Sequence, residues 1–180
     1  MKGIVFTELM EMAEARYGLE AVEIAIQRAN PSSKAAYTSV GNYPHTELVD
    51  LVLALAGQVG TPPNQLMISF GHHLFRRFTV LYPQLFTEAK SAWDFLCSVH
   101  DYIHVEVKKL YPDAELPVFT HSRQGEDHLE LTYSSPRPLA NLAQGLIEAC
   151  LEHFGGGYSL SRKEITPDGC SARFLIRAAV

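Results

Sequence analysis

Residues 117–138 read Pro117-Val118-Phe119-Thr120-His121-Ser122-Arg123-Gln124-Gly125-Glu126-Asp127-His128-Leu129-Glu130-Leu131-Thr132-Tyr133-Ser134-Ser135-Pro136-Arg137-Pro138. The texture of the chain changes within this stretch. Residues 118–123 and 128–134 are short and rich in β-formers, and the polar run Gln124-Gly125-Glu126-Asp127 separates them as in a hairpin. Downstream, residues 138–154 carry helical periodicity and stop at Gly155-Gly156-Gly157. Two further strands, 158–165 and 171–177, then flank a Pro167-Asp168-Gly169 turn. Upstream the pattern is helix after helix. Val5, Leu9, Met12 and Ala13 recur at helical spacing until Gly18, and a second helix fits 19–29 before Asn30-Pro31. Residues 37–44 read as loop, and Thr46 is placed to cap a third helix with Leu48, Leu51, Val52 and Leu55 on its face. Thr61-Pro62-Pro63 opens a fourth helix that Pro83 forbids beyond Tyr82, and a long one covers 90–111. The expected fold is α+β, with an N-terminal helical part, the long helix, and a four-stranded antiparallel sheet carrying an inserted helix. No repeat or linker divides residues 1–180, so one domain is expected.

Composition narrows the function. The chain has 180 residues, 47% hydrophobic and 19% charged, with a formal net charge of −5, which suits a globular protein with a real core. No basic run marks a nucleic-acid partner. Glu8, Glu11 and Glu14 interrupt the first segment, so it reads as a helix of the fold and not a signal peptide. No apolar stretch approaches the ~20 residues needed to span a bilayer, so no membrane partner is expected. Three scattered cysteines, Cys97, Cys150 and Cys170, fit a reducing cytoplasm better than a disulfide framework.

Two constellations carry chemistry. On the 90–111 helix, His104 lies at the edge of the stripe Leu96, Val99, Ile103, Val107 and Leu110, where an imidazole can meet a buried metal or a flat cofactor. The same position suits a hydrogen-bonded structural histidine. His100 and His104 are also four apart, as in a zinc hydrolase. However, His100-Asp101-Tyr102-Ile103-His104 lacks the glutamate that follows the first histidine of the metalloprotease motif. Cys150 and Cys170, even with His153, offer no complete tetrahedral set for zinc and read as ordinary reduced cysteines, and His72 and His73 diverge by about 100° on a helix. The second constellation is Tyr133, Ser135 and Arg137. Side chains two apart on an extended chain share a face, and nothing acidic lies between these three. A guanidinium with two hydroxyls suits a carboxylate ligand, although an exposed strand end would also carry such residues.

Tyr133-Ser134-Ser135-Pro136-Arg137 resembles the Y-x-S-x-R motif of the H-NOX (haem–nitric oxide/oxygen binding) family, which includes the haem domain of soluble guanylate cyclase. His104 lies where that family has its proximal histidine on an upstream helix, and Pro117 matches a family proline between helix and sheet. Met1-Lys2-Gly3-Ile4-Val5 and the segment from Tyr111 to Pro117 are similar to bacterial stand-alone members. The resemblance spans the chain. It implies haem lying between the helical part and the sheet, with His104 as the iron ligand and Tyr133, Ser135 and Arg137 on the propionates. Without C-x-x-C-H the haem would be non-covalent, b-type.

The resemblance also implies the ligand. Oxygen-binding members use a distal tyrosine where this chain has Leu142. Other distal polar positions fall at Leu9 and Leu74, and Val5, Phe78 and Leu146 are expected as further apolar wall. Together these positions describe a pocket without a hydroxyl or amide donor, which fits a sensor of nitric oxide, with carbon monoxide as a further ligand, and not a stable O₂ binder. In the family, NO weakens the bond to the proximal histidine and a separate protein reads the change. A sensor histidine kinase or a cyclic-di-GMP enzyme is the implied partner, since the chain has no enzymatic motif of its own. A haem protein for gas storage or redox catalysis is disfavoured by the lack of distal acid–base groups.

Overall fold

The helical part comes first, as α1 (Gly3–Tyr17), α2 (Leu19–Ala29), α3 (His45–Val59) and α4 (Pro63–Leu81). The structure, a computed structural model, describes residues 1–125, 127–155 and 157–178, without the side chain of Gln124. Glu126 of the hairpin turn and Gly156 of the glycine run therefore lie outside the described residues. The first N–H groups of α1, which no helix can satisfy internally, donate to the 37–43 loop: Gly3 to the Gly41 carbonyl at 2.8 Å and Ile4 to Ser39 at 2.9 Å. Helix α3 begins one residue before the expected cap. Extended Pro44 stands at its N-terminus and no side chain caps it, Thr46 included. Its buried Glu47 instead gathers the hydroxyls of Ser32 and Ser33, both at 2.6 Å, the Tyr37 hydroxyl at 2.8 Å and the Ser33 N–H at 3.2 Å. Burial alone pushes this carboxyl up, but those donors outweigh it and hold it below the ordinary value.

The long helix expected over 90–111 is broken. Ser91 caps α5 (Ala92–Ser98) through the Asp94 N–H at 3.1 Å. A π-helical turn then covers Val99–Ile103, and α6 (His104–Leu110) follows. The helix is interrupted there, yet Leu96, Val99, Ile103, Val107 and Leu110, the stripe expected of a continuous helix, all turn to the same cavity.

Strands β1 (Val118–Gln124), β2 (His128–Ser134), β3 (Tyr158–Glu164) and β4 (Ser171–Ala178) form an antiparallel sheet of order β1-β2-β4-β3, with α7 (Ala140–Phe154) inserted after β2. The α+β expectation is met. Leu129, Leu131 and Tyr133 of β2 face inward with Ala172, Phe174 and Ile176 of β4, in the period-two pattern of a sheet covered on one side.

Two cores result. One gathers α1 to α4 around Phe6, Leu9, Leu48 and Phe70; the other packs the sheet, α5 and α7 around Phe95, Ile147 and Phe174. They meet where α4 crosses α7. A Cβ on Gly145 would lie 2.1 Å from the Ile68 carbonyl oxygen, and one on Gly71 would lie 2.6 Å from that of Leu142, so backbone touches backbone. Gly145→Ala should therefore destabilise the protein by about 1–3 kcal/mol. Gly57→Ala, in α3 with nothing within 4 Å, should stabilise by about 0.4–1 kcal/mol. Urea unfolding of both variants checks the contrast. Because the Glu47 carboxyl is depressed in the fold, its contribution is full above an ordinary carboxylate pKa of about 4.3 and is lost as pH falls through the folded value. Glu47→Gln should cost about 1–3 kcal/mol at neutral pH and much less near pH ~3, read by urea unfolding at the two pH values.

Candidate functional site

Beyond the Gly71–Gly145 crossing the two cores separate around a cavity of about 520 Å³, within the range of roughly 300–1,000 Å³ that holds small molecules and cofactors. Helix α4 gives it Leu74 and Phe78, α7 gives Leu142 and Leu146, and α1 gives Val5. The opposite wall carries Ile103, His104, Pro117 and Phe119. The cavity thus lies between the helical part and the sheet, where the sequence pointed.

His104 follows the π-helical turn, its backbone N–H donating to the Val99 carbonyl. Its ring lies 6.0 Å from that of Phe119 and 6.3 Å from that of His100, centroid to centroid. Burial pushes its imidazole down to about 4, His100 and Lys108 act the same way, and the Pro117 backbone acts against them. The ring is therefore neutral near pH 7, the form that binds a metal. Its Nδ1 is buried without a well-formed hydrogen bond, and the Pro117 backbone is the polar group that acts on the ring.

Tyr133, Ser135 and Arg137 all reach the cavity, and both hydroxyls bond to Arg137's own backbone. The Tyr133 hydroxyl donates to the Arg137 carbonyl at 3.2 Å, and the Ser135 hydroxyl accepts the Arg137 N–H at 3.1 Å. These bonds fix the turn, and the accepting Ser135 hydroxyl keeps its own proton to donate beside the guanidinium. The sequence showed nothing acidic beside it. The structure brings in Glu115, whose carbonyl accepts from Nη1 at 2.7 Å and whose carboxylate pairs with Nη2. No local pattern signals that contact, because the partners are 22 residues apart.

The other expected residues divide. Val5, Leu74, Phe78, Leu142, Leu146 and Pro117 line the cavity. Leu9 does not. It is fully buried in the N-terminal core, one turn beyond Val5 and inside the α1–α4 packing. The expectation of a cavity without hydroxyl donors also needs correction, because Tyr82 and Tyr111 stand on its wall with their hydroxyls 3.0 Å apart. Cys150 lines the cavity as a buried thiol, and burial pushes it up from its ordinary value.

For zinc, no group of three or more His, Cys, Asp or Glu side chains among the described residues is arranged to hold a metal ion. His100 and His104 therefore lack the third ligand that a hydrolase needs. His72 and His73 diverge as their spacing requires: His72 meets Glu148 of α7 at 2.9 Å and His73 meets Glu8 of α1 at 3.1 Å. No helix among the described residues is long and apolar enough to cross a membrane.

A family model described as Haem-NO-binding matches residues 2–161. The chain belongs to the haem-NO-binding, or H-NOX, family. Its members are haem-based gas sensors that hold iron in haem. Similar solved structures include an unliganded Fe(II) H-NOX protein from K. algicida, with 33% identity, a TM-score of 0.95, and cover of 100% of this chain and 97% of that one. An H-NOX protein from S. oneidensis in the Fe(II)NO state matches with 26% identity, a TM-score of 0.91 and full cover of both chains. The IWP-051-bound H-NOX from Shewanella woodyi, in the Fe(II)CO state, gives 39% identity, a TM-score of 0.83, and cover of 99% and 95%. No protein of curated function matches the chain.

Proposed function

We propose that this H-NOX chain is a cytoplasmic nitric oxide sensor, working over residues 1–180 as one unit that holds b-type haem non-covalently in the central cavity. The observation that carries the reading is His104: a buried, neutral imidazole on the wall of an apolar cavity of about 520 Å³ that Arg137 also lines. That donor set fits haem, an apolar plane with one coordination need and two carboxylates. When bound, haem supplies the iron at which a diatomic gas is taken up. His104 is then the metal ligand, and Tyr133 and Ser135 position Arg137 to meet a haem carboxylate.

The chain's own groups also favour NO. Val5, Leu74, Phe78, Leu142 and Leu146 offer the gas no hydrogen-bond donor, and of the two hydroxyls on the wall, Tyr82 and Tyr111, one is engaged in donating to the other. Such walls serve NO or CO and withhold what a polar O₂ complex needs. His104 opens α6, so release of its ring frees that helix to shift against α1 and α4. A shift of this kind is a two-state signal for a separate partner, for which a sensor histidine kinase or a cyclic-di-GMP enzyme is the proposed reader. The proposal assigns the chain no catalysis of its own.

The purified protein is expected to show a Soret band, to change spectrum when NO is added to the reduced form, and to form no lasting oxygen complex in air. A stable ferrous–oxy spectrum would refute NO selectivity. His104→Gly should lose haem and regain it with added imidazole; full haem retention without imidazole would remove His104 from its role. Pro117→Ala should alter gas-binding rates by stopped flow, because Pro117 lies against the same wall, and rates equal to wild type would count against that contact.

A further inference from the structure

The side-chain cations Lys2 and Arg137 stand at the cavity, and one short segment supplies a carboxylate to each. Lys2 places Nζ 2.7 Å from an Asp113 carboxylate oxygen and 5.3 Å from the centroid of the Tyr111 ring, and the Asn42 amide also donates to Asp113. Arg137 pairs with Glu115, two residues further on. The four side chains share in lining the cavity, but their exposures divide sharply. Lys2 and Arg137 are 13% and 11% exposed, whereas Asp113 and Glu115 are 55% and 80% exposed. The cations are thus held inside and the anions reach them from solvent.

That asymmetry has a direction. An exposed carboxylate returning to water gives up little, since surface pairs are worth about 0–1 kcal/mol. A buried Lys or Arg left without a partner is costly. The cations therefore need an anion at all times, while the anions can leave. A ligand whose carboxylates are attached to an apolar body has the advantage in such an exchange. Burial of the body holds its carboxylates at high effective concentration beside the cations.

We propose that Lys2 and Arg137 form a two-cation site for a ligand dicarboxylate, and that Asp113 and Glu115 act as an internal dicarboxylate that the ligand displaces. The site adds Lys2, which lies outside the Tyr133–Arg137 motif, to the carboxylate-binding set. It rests on the haem reading above, with the two propionates as the displacing pair.

The test follows haem loss from the full-length loaded chain to excess apomyoglobin, read at the Soret band. It is run with haemin and with haemin dimethyl ester, whose carboxylates are uncharged. D113N/E115Q should hold haemin about three- to tenfold longer than wild type. Lys2→Gln should lose it faster by a similar factor, with Lys2→Arg close to wild type. With the ester, the variants should not differ. The acid variant keeps both cations, so its outcome does not depend on how well Lys2→Gln folds. Haemin loss from D113N/E115Q at the wild-type rate or faster overturns the proposal, as does a Lys2→Gln effect equally large with the ester. A wild-type chain that takes up neither probe overturns the haem reading itself.

Discussion

The contact of Gly71 with Gly145 sets the spacing of everything around it. Two helices can approach this closely only where neither has a Cβ in the way, and here the nearest backbone atoms leave no room for one. The crossing locks the N-terminal core to the sheet core at one place. Three and seven residues beyond Gly71 on the same face of α4 come Leu74 and Phe78, and beside Gly145 on α7 come Leu142 and Leu146. Away from the glycines, side chains hold the helices apart, and the gap between the cores opens there into the cavity those residues line. A tight crossing at one point and a cavity beyond it are one geometric fact.

The second constraint falls on His104. An irregular π turn ends at the residue before it, and its Nδ1 is buried without a well-formed hydrogen bond. Both features are unfavourable for an isolated helix, yet they coincide at one residue on the cavity wall. Ile103, His104 and Val107 reach the cavity together with Leu96 and Val99. A neutral imidazole set beside a π turn on the cavity wall is placed to bind a ligand, and the proposed function rests on that coincidence more than on cavity size.

Much of this was legible in the sequence because it is written locally. Helical and strand periodicities, Pro83 after α4 and the Pro167-Asp168-Gly169 turn each act within a few residues, so the α+β order follows from them. The Tyr133–Arg137 trio was legible for the same reason: its spacing survives into the structure. What was not legible is non-local or hidden in register. Nothing in Val99-His100-Asp101-Tyr102-Ile103 announces a π turn. Glu115 meets Arg137, and Asp113 meets Lys2, only because the fold returns the chain on itself. Leu9 and Leu74 look alike as apolar helical positions, yet one is sealed in the N-terminal core and the other faces the cavity. Thr46 had the chemistry of a cap, but Pro44 already directs the chain into α3 and the local hydroxyls converge on Glu47 instead.

Coupling between the site and the helical part follows from where α6 ends. The segment after Leu110 is not a free loop. Tyr111 meets Tyr82 at the end of α4, and Asp113 is tied to Lys2 at the start of α1 and to Asn42 in the loop that satisfies the first turn of that helix. A displacement of His104 along or about α6 must therefore strain these polar contacts or pivot the halves about the glycine crossing. Apolar packing alone can slide in small steps. Directional hydrogen bonds and ion pairs are made or broken, so in the proposed reading the joint between α6 and α1 would switch between discrete states. In the proposed reading that discreteness lets a change at one imidazole reach a surface that a separate protein can recognise.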